Sequence, residues 1–182
     1  RITKNIMKYI DCKISGLINL IPDLFKDERG RFHRSYCENQ LSELGINFRV
    51  KQGNVSDNLH IHTLRGFHYQ KPPTYEAKLL TCITGSIYNV VLDLRPSSKT
   101  FQSWEVFEIS SEKRQTIHVP AGCANAFLTL KPNTIINYLM SDYFTENTYS
   151  GFKYNDKYFK IKWPHEPLVI SARDKNYDDF TI

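Results

Sequence analysis

The chain has 182 residues, 41% of them hydrophobic and 24% charged, which suits one globular domain over residues 1–182 and leaves too little for two. Its 24 basic and 19 acidic residues give a net charge of +5, but the basic residues are scattered. That argues against a nucleic-acid surface and favours a small phosphate-bearing ligand. No apolar run reaches the roughly 20 residues of a membrane helix.

The opening RITKNIMKYI lacks the apolar core of a secretory signal and leaves Met7 open as a native start, with residues 1–6 upstream. Cys12, Cys37, Cys82 and Cys123 are widely spaced and form no CxxC pair. The expectation is a reduced, cytoplasmic protein with free thiols and no membrane partner.

Aromatic content of 13%, eight glycines and eight prolines point to β-structure. The first predicted strand is 15–21, followed by a turn at 26–30. One short helix follows: Ser35-x-x-Glu38 has the form of a capping box, Leu41 and Leu44 give an apolar edge, and Gly45 suits the C-terminus. Further strands are predicted at 48–54, 64–69, 77–83, 86–94, 104–110, 116–119, 124–129 and 135–140. Turn signals at Thr84-Gly85, 95–98 and 131–133 divide them. Many short strands without alternating helices predict an antiparallel sandwich or barrel. From Thr145 onward the chain is polar and aromatic, and is expected to cover the outside or rim.

The stretch LRGFHYQKPP, residues 64–73, crowds polar side chains onto a strand. Arg65 and His68 are three apart and should point to opposite faces. A bulge centred on Gly66 would shift the phase and bring both to one cavity; otherwise Arg65 is a solvated charge and His68 an interior histidine. His60 and His62 share a strand face, but no carboxylate follows them. A later Pro-Ala-Gly-Cys-Ala-Asn segment ends in Asn125 rather than histidine. Two ligands do not complete a transition-metal site, so a surface histidine pair, no metal and no cofactor are expected.

DERGRF (27–32), QGNVS (52–56), LRGFHYQKPP, KLLTCITGSIYNVVLDLR (78–95), VPAGCANAFLTL (119–130), GFKYND (151–156), KWP (162–164) and SARD (171–174) occur in order. Together they resemble the nucleotide-sugar 3,5-epimerases typified by dTDP-4-dehydrorhamnose 3,5-epimerase. The resemblance implies an all-β, cupin-like jelly roll, with the short helix near the N-terminus and an irregular or helical C-terminal segment. It implies a homodimer working without metal. It also implies inversion at C3 and C5 of a nucleoside-diphosphate 4-keto-6-deoxyhexose, in deoxysugar or rhamnose biosynthesis.

By this resemblance His68 is the base, Asp174 the carboxylate that orients it, and Tyr138 the acid on the opposite face of the sugar. Lys78 would lie near the keto oxygen and Arg65 against the substrate. Arg29 would reach the nucleotide across the dimer interface, with Gln52, Asn54, Tyr143 and Asn125 lining the pocket. The chemistry needs such residues: taking a proton from beside a ketone puts negative charge on the C4 oxygen. The chain departs from the family at Asn125 (histidine in the family), Asn89 (a carboxylate) and Arg34 (a glutamate). Two neutral amides hydrogen-bond but do not move a proton at neutral pH, which leaves inversion at C3 alone open. The rival readings are a sugar-nucleotide 3,4-ketoisomerase and a non-catalytic sugar-nucleotide-binding barrel.

Overall fold

A computed structural model of the protein describes residues 7–181; the segment upstream of Met7 lies outside the described residues. The chain begins with β1 (Met7–Asp11), β2 (Ile18–Pro22) and a small hairpin of β3 (Phe25–Asp27) and β4 (Gly30–Phe32). Helix α1 (Glu38–Glu43) leads to β5 (Gln52–Asn58), β6 (Thr63–Gln70), β7 (Lys78–Thr84) and β8 (Ser86–Asp93). There follow β9 (Trp104–Ser110), β10 (Thr116–Val119), β11 (Cys123–Thr129) and β12 (Thr134–Met140). A 3₁₀ turn precedes β13 (Tyr149–Gly151), and β14 (Val169–Ile170) and α2 (Ala172–Lys175) complete the described fold.

Two sheets face each other in a jelly roll. One has the order β1-β2-β10-β7-β12-β5; the other runs β13-β6-β11-β8-β9, with β14 joined to β6. The facing surfaces change character along their length. On β7 the alternate residues are Cys82, Leu80 and Lys78; on β12 they are Ile136, Tyr138 and Met140. Cys82, Leu80 and Ile136 join Val91, Ile109 and Ile117 in an apolar cluster. Lys78 and Met140 line a cavity next to that cluster, with Leu80 and Tyr138 at the boundary between the two. Strand alternation thus builds a core at one end of the barrel and a polar site at the other.

The eight predicted strands after the first turn reappear as β5 to β12, and two of them, 104–110 and 116–119, with the predicted bounds. The 48–54 prediction is displaced to 52–58. Phe48 is only 1% exposed, but it packs with Leu41, Ile46 and Leu79 from irregular backbone. The predicted capping box does not form: α1 begins after Cys37, whose side chain makes no cap. Burial of Leu41 against Phe48 sets the helix frame instead. Gly45 behaves as expected, with φ +75° and its amide donating to Ser42 O at 2.9 Å. The segment after Thr145 is not merely a cover, since β13 and β14 both pair with β6.

One buried ionic cluster fixes the turn after β8. Asp93 is fully buried and accepts from Arg95 Nε at 2.8 Å, Ser98 Oγ at 2.6 Å and Thr100 Oγ1 at 2.8 Å. Burial pushes its carboxyl pKa up, but these donors outweigh burial and bring it to about 2 from 3.8. The folded state therefore favours the ionised form. Its contribution is complete above the unfolded value and fades as the pH falls towards about 2. At neutral pH it amounts to about 2 kcal/mol. Thermal melts of wild type and Asp93→Asn between about pH 5 and 2 should converge as the acid side is approached; parallel curves would refute this role.

Candidate active site

The cavity between the sheets has a volume of about 510 Å³. Gly66 determines how β6 enters it. It has φ +115°, and a Cβ there would lie 2.6 Å from Asn125 O and 2.7 Å from Ala126 Cα. Only glycine meets both demands. The β6–β11 register shifts opposite this residue, between Asn125 and Phe127. Arg65 and His68 consequently both line the cavity, as the bulge reading expected. Arg65 is steadied by Asn58, whose Oδ1 accepts from Arg65 Nε at 2.8 Å.

Asp174 reaches His68 from 106 residues away because β14 runs parallel to β6, pairing Val169 with Thr63 and Ile170 with Leu64. The chain then turns into α2, where Ser171 Oγ accepts from the Asp174 amide at 3.0 Å. Asp174 is 2% exposed. Its Oδ1 lies 2.8 Å from His68 Nε2, and its Oδ2 accepts from the Gly66 amide at 3.2 Å. Burial alone would raise its pKa; the bond and charge of His68, with Gly66 and Arg173, hold it below the ordinary carboxylate value. An ionised carboxylate only accepts, so Nε2 carries a proton whether the ring is charged or neutral, and in the neutral ring the lone pair is on Nδ1.

Tyr138 stands on the facing sheet, on β12, and lines the same cavity. Burial raises its pKa, the negative charge of Glu76 adds to this, and Arg65 opposes it. The phenol therefore keeps its proton at neutral pH. Lys78, Gln52, Asn54 and Asn125 also line the cavity. Asn125 Nδ2 donates to Asn89 Oδ1 at 2.7 Å and to Val90 O at 3.0 Å. With both amide protons so used, its Oδ1 remains as an acceptor.

Two of the ten expected site residues lie elsewhere. Arg29 is at the exposed tip of the β3–β4 hairpin, paired with Asp27, and does not line this chain's cavity. Tyr143 is 60% exposed and packs its ring near Lys51 Nζ. Its sequence neighbour Phe144 takes the cavity position, with its amide donating to Gln52 Oε1 at 3.1 Å. Arg34 does not line the cavity either. His62 stacks on His165 with ring centroids 4.2 Å apart. Among the described residues no group of three or more His, Cys, Asp or Glu is arranged to hold a metal ion.

Sequence reasoning missed Glu76, Tyr149 and Arg173, all on the cavity wall. Tyr149 lies 5.2 Å from the His68 ring and 5.1 Å from Phe144, with the Arg173 guanidinium 4.9 Å above it. Glu76 is two residues before Lys78, a spacing that puts extended residues on one face. Arg173 adjoins Asp174 within SARD. Nothing local marked Tyr149.

The fold and site define a jelly-roll protein whose polar cavity sets a histidine on one sheet, held by a carboxylate from α2, against a protonated phenol on the other sheet. The family model described as dTDP-4-dehydrorhamnose 3,5-epimerase matches residues 11–181, and the chain belongs to that enzyme family. The dTDP-4-dehydrorhamnose 3,5-epimerase of Methanothermobacter thermautotrophicus is 33% identical over 173 residues, covering 93% of this chain and 92% of its own. A Streptomyces dTDP-4-dehydro-6-deoxyglucose 3-epimerase is also 33% identical, over 90% of this chain and 84% of its own. The crystal structure of the Bacillus anthracis dTDP-4-dehydrorhamnose 3,5-epimerase with TDP and PPi bound superposes with a TM-score of 0.93. That match has 36% identity and covers 96% of this chain and 99% of the other.

Proposed function

We propose that the protein epimerises a dTDP-linked 4-keto-6-deoxyhexose at C3 and C5, in the synthesis of a deoxysugar of the rhamnose type. The observation that carries this reading is the His68–Asp174 pair at 2.8 Å, facing Tyr138 across the cavity. His68 Nδ1 removes the proton beside the ketone, and Asp174 stabilises the imidazolium that forms. Charge develops on the C4 oxygen, where the Lys78 ammonium neutralises it. Tyr138 returns a proton to the opposite face, which inverts the carbon. Arg65 and Arg173 supply positive charge for the diphosphate. Arg29, on its exposed hairpin, serves the nucleotide end of a partner subunit in a homodimer. The four free cysteines suit the reducing cytoplasm.

The Asn89–Asn125 amide pair favours a second outcome, inversion at C3 alone, since neither side chain moves a proton. Incubation with dTDP-4-keto-6-deoxyglucose in deuterated water, followed by NMR, separates the cases. Deuterium at C3 and C5 with altered ring couplings is the expected result, and label at C3 alone marks a single inversion. A carbonyl moved to C3 would identify a ketoisomerase, and tight binding without exchange would identify a binding protein. Tyr138→Phe should still exchange deuterium at a carbon that His68 deprotonates, while product forms at least about 100-fold more slowly. Normal product formation would exclude the phenol as acid.

A further inference from the structure

The cavity contains a buried carboxylate that the proton transfers above do not use. Glu76 follows the Pro72-Pro73 pair and precedes β7; it is 7% exposed. Its Oε1 lies 3.1 Å from Lys78 Nζ, and the two side chains are 3% and 13% exposed. That oxygen is buried and accepts no well-aligned hydrogen bond among the described residues. Its charge is therefore met by the lysine's charge rather than shared with backbone amides. A buried ion of this kind persists only beside a partner, and the partner is the cation on the cavity wall.

We propose that Glu76 is a positioning residue for the proton chemistry: its ion pair fixes Lys78 as the cavity cation, and its carboxylate is the acidic neighbour of the Tyr138 phenol on the same cavity wall. The inference rests on the reading of Lys78 and Tyr138 given above. The other ionisable groups on the wall are Asp57 from β5, Arg65 and His68 from β6, Tyr149 from β13 and Arg173 from α2. Of these Arg65 opposes Glu76 at the phenol, while Glu76 is the acidic side chain that raises it. Without the Glu76 charge, the phenol would keep the Arg65 cation and lose the acidic side chain that offsets it. It would release its proton more readily, and the lysine would lose its anchor.

The test has two parts. Ultraviolet titration of phenolate absorbance, taken as the difference between each protein and its Tyr138→Phe counterpart, isolates Tyr138. In Glu76→Gln the midpoint should fall by about one pH unit, while Glu76→Asp, which keeps the charge, should stay near wild type. An unchanged midpoint in Glu76→Gln overturns the proposal. In turnover, Glu76→Gln should lower kcat about tenfold and shift the alkaline limb down by the same interval, with KM within about twofold. A limb that stays in place while the phenol midpoint moves also overturns it. Should wild type neither exchange nor convert the sugar, the proposed function falls, and the titration still decides whether Glu76 governs the phenol.

Discussion

Replacing His68 with glutamine is expected to lower the rate of deuterium incorporation into the sugar by ~10²–10⁴-fold, the usual cost of losing a general base. The substitution is informative because of what it retains. A glutamine amide nitrogen reaches about as far as imidazole Nε2 and so still donates to Asp174 Oδ1, which now lies 2.8 Å from that ring nitrogen. The buried carboxylate thus keeps a partner, and the fold has no reason to rearrange. What disappears is the basic lone pair on Nδ1. Binding of TDP, measured by calorimetry, should therefore change by less than about threefold, because Arg65, Arg173 and the aromatic wall remain. Exchange near the wild-type rate would remove His68 from the mechanism.

The second large effect concerns a residue with no side chain. Gly66→Ala forces a β-carbon into φ +115° and within 2.7 Å of Asn125 O and Ala126 Cα. Backbone strain and overpacking each cost roughly 1–3 kcal/mol. Together, at about 3 kcal/mol, they should lower Tm by about 10 °C in a chain of this size. The Gly66 amide also donates to Asp174 Oδ2 at 3.2 Å, so relief of the clash moves one anchor of the carboxylate that orients His68. Activity measured well below the new Tm should fall with stability. A variant that melts within about 2 °C of wild type at full activity would show that β6 can enter the cavity without this bulge.

How far the sequence reached depended on the range of the forces involved. Strands such as 104–110 and 116–119 were legible because short runs of β-branched and aromatic residues bounded by turn residues are local signals. The bulge at Gly66 was open to inference because Arg65 and His68 cannot share a face of a regular strand. The helix start was misplaced because a capping motif is weaker than the burial of Leu41 against Phe48, a contact that local spacing does not display. The His68–Asp174 meeting depends on a two-residue parallel pairing of β14 with β6, too short to leave a pattern, and was reached only through family resemblance. Glu76 was overlooked because an acidic residue after two prolines reads as a solvated turn until the fold closes over it. Tyr149 and Phe144 became cavity residues through the path of the chain after β12, which composition does not encode.

The most direct measurement is a crystal structure of this protein with a dTDP-linked 4-keto-6-deoxyhexose or its stable 4-hydroxy analogue bound. The sugar ring should lie between the two sheets, with C3 or C5 within about 3.5 Å of His68 Nδ1 and the Tyr138 phenol against the opposite face. A ring bound outside the cavity, or one with the imidazole and the phenol on the same side, would contradict proton removal by one sheet and proton return by the other.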